Sequence, residues 1–275
     1  MKKCLKMNLA VFTSNHLRHK YIATEIAKVL PLELIICEEK SAVIQDTSNY
    51  NNADTLLLKN HFKNREISEN LFFEECYNFP SDSSLVNIKF GEINSKNILK
   101  LLSDYKIDFI LLFGSSIIKS MILEKYGDKI INLHLGLSPY YKGSGTNFFP
   151  IVNNEFECLG ATIHLANHKV DAGCILHQLR PDVISLNDDI YTLGNKIIKK
   201  AGIIFPQIVK KYLLGQIKPQ VQRKLINSKE YRLKDFTPEN LRIASTIIKN
   251  GGISEYLKNK IERLNSKPII NNYNE

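Results

Sequence analysis

Asn132, Leu133 and His134, with the loop Leu135-Gly136-Leu137-Ser138-Pro139-Tyr140-Tyr141-Lys142-Gly143-Ser144-Gly145 behind them, carry the densest polar information in the chain. In an extended strand, residues two apart face the same side, so Asn132 and His134 project together. A second block, Asn167-His168-Lys169-Val170-Asp171-Ala172-Gly173, adds a carboxylate on a loop. Amide, imidazole and carboxylate together suit acyl transfer to an amine. Attack on the acyl carbon creates an oxyanion, which an amide N–H from Asn132 and a donating His134 stabilise by typically about 3 kcal/mol per donor. Asp171 takes a proton from the attacking ammonium, directly or through water, and sets the state of the imidazole. No covalent intermediate is required, and the chain offers neither a G-x-S-x-G elbow nor a well-placed Cys–His pair.

The elements that must position these groups are legible as alternating apolar runs and helical periods. Met7–Phe12 is a strand, Thr13-Ser14-Asn15 a turn, His19–Leu30 a helix and Leu32–Cys37 a second strand, which makes a right-handed βαβ unit. A helix over Asp54–Tyr77 is expected to cover an edge of the sheet. Val86–Phe90 is a strand, Ser95 opens a helix to Tyr105, and Ile107–Phe113 is apolar throughout, as a strand buried on both faces must be. Ile130–His134 and Ala161–Leu165 are further short strands. If the latter is parallel, it delivers Asp171 to the carboxyl edge of the sheet, where open α/β sheets bind ligands. Cys174–Ile184 is extended, Asp188–Leu214 helical and Gln220–Tyr231 polar with strand-like pieces, and Thr237-Pro238 starts another helix. The residues from Asn265 are expected to fray. The fold class is α/β, a mostly parallel doubly wound sheet, with residues 1–185 as the catalytic domain and 186–275 as a mainly helical extension.

Composition narrows the classes. A 44% hydrophobic fraction in 275 residues supplies a core, and five cysteines (Cys4, Cys37, Cys76, Cys158, Cys174) without C-x-x-C spacing exclude a disulfide framework and fit a reducing cytoplasm. The short apolar stretch after Met1-Lys2-Lys3 is broken by Lys6 and Asn8, so no secretory segment is expected, and no run approaches the ~20 residues of a membrane span. The net charge of +9 (37 − 28) comes mainly from lysines scattered over helices, without a basic stripe interleaved with aromatics, so no nucleic-acid partner is expected. Gly143-x-Gly145 has no strand directly before it and is no dinucleotide fingerprint. His164 and His168 straddle a strand end, where a four-residue spacing does not align two ligands; no metal site is expected, and His164 is assigned to structure.

The stretch from Phe113-Gly114 through Asn132-Leu133-His134-x-x-x-x-Pro139 to Val170-Asp171-x-Gly173 resembles the folate-dependent formyltransferases. That family includes glycinamide ribonucleotide formyltransferase, methionyl-tRNA formyltransferase and the sugar N-formyltransferases of surface-polysaccharide pathways. The likeness covers Phe109 to Gln178 closely and the Rossmann-like N-terminal half loosely. It places Asn132, His134 and Asp171 on the family's catalytic triad. It also implies 10-formyltetrahydrofolate as donor, held by Gly114, Ser115, Ser116, Ile117 and Ile118 on one side of a cleft and by Lys169 and Val170 on the other.

The chain departs from the family in three places. Leu135-Gly136-Leu137-Ser138-Pro139 replaces the common Pro-Ser-Leu-Leu-Pro; Thr13-Ser14-Asn15-His16 is not a Gly-rich phosphate loop; and the tail is short for the barrel of the methionyl-tRNA enzymes. By elimination the resemblance points to an amino sugar, nucleotide-linked, as acceptor. Asn15, His16, Arg18 and His19 are assigned to it at the first turn, and Tyr140, Tyr141 and Lys142 at the loop after His134. Glycinamide ribonucleotide is the second acceptor to consider, a non-enzymatic folate- or RNA-binding module is the rival class, and a homodimer is left open.

Overall fold

The computed structural model describes residues 7–41 and 48–273, so Cys4, Lys6 and the rest of residues 1–6 lie outside the described residues. In chain order the elements are β1 (Leu9–Thr13), α1 (Leu17–Ala27), β2 (Leu32–Glu38), α2 (Asn52–Phe73), β3 (Ser84–Ile88), α3 (Lys96–Asp104), β4 (Phe109–Leu112), α4 (Ser120–Tyr126), β5 (Ile130–His134), β6 (Tyr141–Gly143) and α5 (Phe149–Val152). There follow β7 (Ala161–Leu165), β8 (Ile175–Leu179), α6 (Ile190–Leu213), β9 (Lys229–Tyr231), α7 (Pro238–Lys249), α8 (Gly252–Lys258) and α9 (Lys260–Ser266). A seven-stranded sheet runs β3-β2-β1-β4-β5-β7-β8, parallel from β3 to β5 and antiparallel at the β5–β7 and β7–β8 pairs. The mostly parallel α/β fold with a helical C-terminal region is as the sequence predicts.

Strand alternation divides the core. Leu9, Val11, Leu111, Ile131, Leu133 and Ile163 face α1 and α6, whereas Ala10, Phe12, Ile110, Leu112 and Ile130 face the layer of α3 and α4. Each fully buried aliphatic side chain contributes roughly 1.5–3 kcal/mol. Helix α6 presents Leu193, Ile197, Ala201, Ile204, Phe205 and Ile208 at helical spacing to the first face, and Asp189 caps it by accepting from the Tyr191 and Thr192 amides. Gly202 permits the close approach of α1: a Cβ there would meet the Tyr21 ring at 2.4 Å.

Three expectations are corrected. Helix α2 packs on α1 and α6 rather than on a sheet edge, because its buried residues Leu58, His61, Ser68 and Phe73 form one stripe that other helices cover. β7 is antiparallel, paired Asn132 to His164 and His134 to Thr162. Residues 266–273 are held, not frayed: the Gln178 amide donates to the Ile270 carbonyl (2.7 Å), the Ile270 amide to Gln178 Oε1 (3.0 Å) and the Asn272 amide to His177 Nδ1 (3.0 Å), so they cover the β8 edge.

Candidate active site

Ile130, Asn132 and His134 share one face of β5. Ile130 joins the α3/α4 core, and the two polar residues continue that face beyond it. Directly opposed residues of an antiparallel pair share a face, so β7 sets Thr162 and His164 beside them. The 166–173 loop then folds back over this face, and Gly173 makes the return possible, since a Cβ there would lie 1.7 Å from the Leu165 carbonyl oxygen. Asp171 therefore reaches the site from above the sheet face rather than from the end of a parallel strand. It has a left-handed φ of +47°, a conformation that Asp tolerates better than most residues. Gln222 Nε2 fixes it from outside by donating to the Asp171 and Gly173 carbonyls, both at 2.8 Å.

The carboxylate is met by two amide donors and two imidazoles. Asp171 Oδ2 accepts from the Gly143 amide (2.8 Å) and lies 3.2 Å from His134 Nδ1, while Oδ1 accepts from Asn132 Nδ2 (3.3 Å) and lies 3.5 Å from His164 Nε2. Burial pushes Asp171 up, but His134, His164 and the Gly143 amide outweigh it and bring the carboxyl from 3.8 to about 2. Burial pulls the His134 imidazole below its ordinary value, opposed by Asp171. His134 Nε2 donates to the Tyr141 carbonyl at 3.2 Å, since that oxygen only accepts. His164 donates from Nδ1 to its neighbour's carbonyl, Leu165 O, at 2.8 Å, so its Nε2 lone pair accepts from Asn132 Nδ2 at 3.0 Å. The structure thus brings a fourth polar residue, His164, to the triad. Its sequence signal was the two-residue spacing from Thr162 on a strand that pairs with β5.

The loop after β4 reaches the same end of the sheet. Gly114 has a φ of +74°, and a Cβ there would meet His19 Nε2 at 2.4 Å. The buried Glu38 carboxylate accepts from the Ser116 and Gly91 amides, each at 2.9 Å, and Asn94 Nδ2 donates to the Ile117 carbonyl at 2.9 Å. Ser115 lies between these anchors. Ile118 turns into the α3/α4 core, but the Ile117 side chain is 68% exposed; across β5, Val170 is 40% exposed beside Lys169. Exposed apolar side chains on two anchored loops next to a polar cluster fit a flat, amphipathic ring system.

The residues expected to touch an acceptor divide. Asn15 and His16 are exposed at the carboxyl end of β1, and Lys142 is half-buried next to Gly143. His19 is buried, its Nδ1 accepting from the His16 amide (3.3 Å), and burial with Arg18 holds it well below its ordinary pKa. Arg18 is a correction: its guanidinium is buried and bonded to Glu69 on α2, which also accepts from Arg65 Nε at 3.2 Å, and desolvation pulls Arg18 down to about 9. Tyr141 is a second, because its ring is 1% exposed and its hydroxyl is taken up by Glu155 and Asn153. Only its backbone carbonyl touches the site. Tyr140 is a third, donating its hydroxyl to the Pro268 carbonyl at 2.9 Å under Lys267. Residues 141–143, expected as loop, form β6, which pairs with β9.

This fold and site define a class, and the comparisons agree. The chain belongs to the formyl transferase family, whose model matches residues 35–209. A methionyl-tRNA formyltransferase of Finegoldia magna is 26% identical over 197 residues, covering 66% of this chain and 62% of that protein, so the match spans somewhat less than two thirds of its length. Among solved structures, a phosphoribosylglycinamide formyltransferase from Anaplasma phagocytophilum superposes with a TM-score of 0.56 at 18% identity, covering 82% of this chain and 98% of that one. A sugar N-formyltransferase from a Shewanella species superposes at 0.54 and 16%, covering 84% and 78%. No helix among the described residues is long and apolar enough to cross a membrane.

Proposed function

We propose that the chain transfers a formyl group from 10-formyltetrahydrofolate to the primary amine of a nucleotide-linked amino sugar. The observation that carries formyl transfer is the cluster of Asn132, His134 and Asp171, joined by hydrogen-bond distances on one sheet face of a chain in the formyl transferase family. The folate supplies the activated formyl group, and Ser115, Ser116, Ile117, Lys169 and Val170 hold its ring system.

Asn132 Nδ2 has two hydrogens. The one at 3.0 Å to His164 fixes the amide, and the longer 3.3 Å contact to Asp171 is exchanged for the oxyanion as it forms. The amide is thus aimed before the charge develops, as preorganised stabilisation requires. A carboxylate held at about 2 is a weak base at rest, so the proton of the attacking ammonium is handled by the pair: the His134 ring receives it, Asp171 stabilises the imidazolium, and the ring gives the proton to the folate nitrogen as the carbon–nitrogen bond to it breaks.

The acceptor reading is supported by the first turn. Arg18 and Arg65 share the single carboxylate of Glu69 and Lys40 adds a further cation beside His16 and His19, a net positive surround suited to phosphate, and the turn lacks the glycines of a phosphate loop. The likeness in fold to the Shewanella sugar N-formyltransferase agrees with it. The near-complete coverage of the Anaplasma enzyme supports the second reading, glycinamide ribonucleotide. One assay separates them: 10-formyltetrahydrofolate with a panel of amino-sugar nucleotides, glycinamide ribonucleotide and ornithine, following folate release and product mass. One formyl gained on a sugar nucleotide establishes the proposal; gain on glycinamide ribonucleotide alone replaces it. His134→Ala should abolish turnover in a folded protein, and near-normal turnover there would sink the mechanism.

A further inference from the structure

On the other face of the sheet, away from the triad, a cavity of about 380 Å³ lies between β8, α6, the short helices α8 and α9 and the C-terminal segment. Its separation follows from register. His177 pairs with Ile163, which faces α6, whereas the neighbouring Gln178 pairs with Thr162 on the triad's side.

His177 is 2% exposed and lines this cavity. Its Nδ1 accepts from the Asn272 amide at 3.0 Å, so Nε2 carries a hydrogen whatever the state of the ring, and that donor has no partner among the described residues. An unpaired buried donor is costly, and one pointing into a cavity is a binding group in waiting. Around it stand Arg180, Lys200 and Lys260 against a single carboxylate, Asp182, which pairs with Lys200. Tyr256 and Tyr273 supply ring surface.

We propose that this cavity is a second small-molecule site, for a compound with one acidic group on an aromatic or heteroaromatic body. Arg180 already gives Nε to the Glu157 carbonyl and an NH2 to the Lys267 carbonyl, and Lys200 is paired with Asp182, so among the described residues the free donors are His177 Nε2 and Lys260; both call for acceptor oxygens, and the net positive charge calls for an anion. The volume lies at the low end of the 300–1,000 Å³ typical of ligand sites, which admits a body of two or three rings and excludes a dinucleotide. The site is independent of formyl transfer.

The test uses the full chain and two dyes of nearly equal shape, 8-anilinonaphthalene-1-sulfonate and its uncharged analogue N-phenyl-1-naphthylamine, read by fluorescence titration. The anion should bind once per chain and at least about tenfold more tightly than the neutral dye, the ratio expected for one hydrogen bond to a charged group. His177→Phe, which keeps a ring and removes the donor, should weaken the anion about tenfold. Lys260 has no ion pair or side-chain hydrogen bond among the described residues, so Lys260→Glu should do the same at unchanged melting temperature, and it decides the matter if His177→Phe does not fold. Saturating 5-formyltetrahydrofolate should leave the anion bound. Equal affinity for the two dyes, displacement by the folate, or full affinity in a folded Lys260→Glu would overturn the proposal.

Discussion

Replacing Asp171 by Asn changes one oxygen for one NH2 and tests whether charge, rather than shape, organises the triad. Oδ2 faces the Gly143 amide and His134 Nδ1, which becomes a second donor once the ring takes up its proton; Oδ1 faces the Asn132 amide. Whichever way the new carboxamide turns, one NH2 confronts another donor. The folded pKa of about 2 against 3.8 corresponds to about 2 kcal/mol at neutral pH, Asp171 being only 10% exposed. Because the folded value is depressed, this stability is fully present above about pH 4 and is lost as pH falls through 2. Denaturant unfolding should therefore show Asp171→Asn about 2 kcal/mol less stable at pH 7, with the difference shrinking toward zero near pH 2. Turnover should fall by roughly 10²–10³, because the imidazolium loses its counter-charge and Asn132 its alignment. A stability difference unchanged between pH 7 and pH 2, or turnover within threefold of the parent, would refute the electrostatic account.

Glu38→Gln keeps one acceptor oxygen and turns the other into a donor against the Ser116 or Gly91 amide. The KM for the folate should rise about tenfold with that for the acceptor unchanged, in steady-state kinetics with each substrate varied. Gly136→Ala would set a methyl 2.5 Å from His134 Nε2 and 2.6 Å from Thr146 Cβ, forcing the imidazole aside by about 1 Å; kcat should drop about 10²-fold, and a parent-like kcat would show the ring to be uninvolved. Arg18→Met breaks a buried ion pair but leaves Arg65 on Glu69, so equilibrium unfolding should show a loss of about 3 kcal/mol, below the cost of a fully orphaned charge.

The strands and helices were legible because each buries a face with its own period: the alternation in Leu9–Thr13 and the helical stripe of α6 are local properties. Asn132 and His134 were legible for the same reason, since strand alternation sends them to one side. The direction of β7 was not. Ala161–Leu165 is buried throughout, and such a run carries the same hydrophobicity whichever way it lies. That ambiguity hid His164, whose place opposite Asn132 exists only in the antiparallel register. Gln222 has no local signal at all, because what it bonds is backbone 49 and 51 residues away. Tyr140 and Tyr141 misled because an aromatic pair after a catalytic residue reads equally well as a binding platform or as core. Here Tyr141 stacks with Tyr231, and that contact depends on β9 returning to β6.

The triad and the surfaces that would choose an acceptor are built differently. Asn132, His134 and His164 sit on the sheet, and Asp171 is tied to it by the Gly143 amide and the Gln222 bridge, so the reacting groups depend on backbone geometry that many side-chain changes would leave intact. Asn15 and His16 stand on a turn, and Lys142 on the short strand β6, whose placements depend on particular side chains: Arg18 locked to Glu69, and the Phe149–Tyr231 stack, 3.7 Å between centroids, beneath β6 and β9. At the first turn, a change of amine partner therefore requires replacing the Arg18–Glu69 support, which does not touch the triad, whereas β6 also bonds Asp171 and His134. Swapping the 14–19 turn with Glu69 and Arg65 should move acceptor preference while any formyl transfer to the new amine still requires Asn132, His134 and Asp171. Loss of transfer to every amine in a folded exchange variant would show that acceptor choice and chemistry share one support.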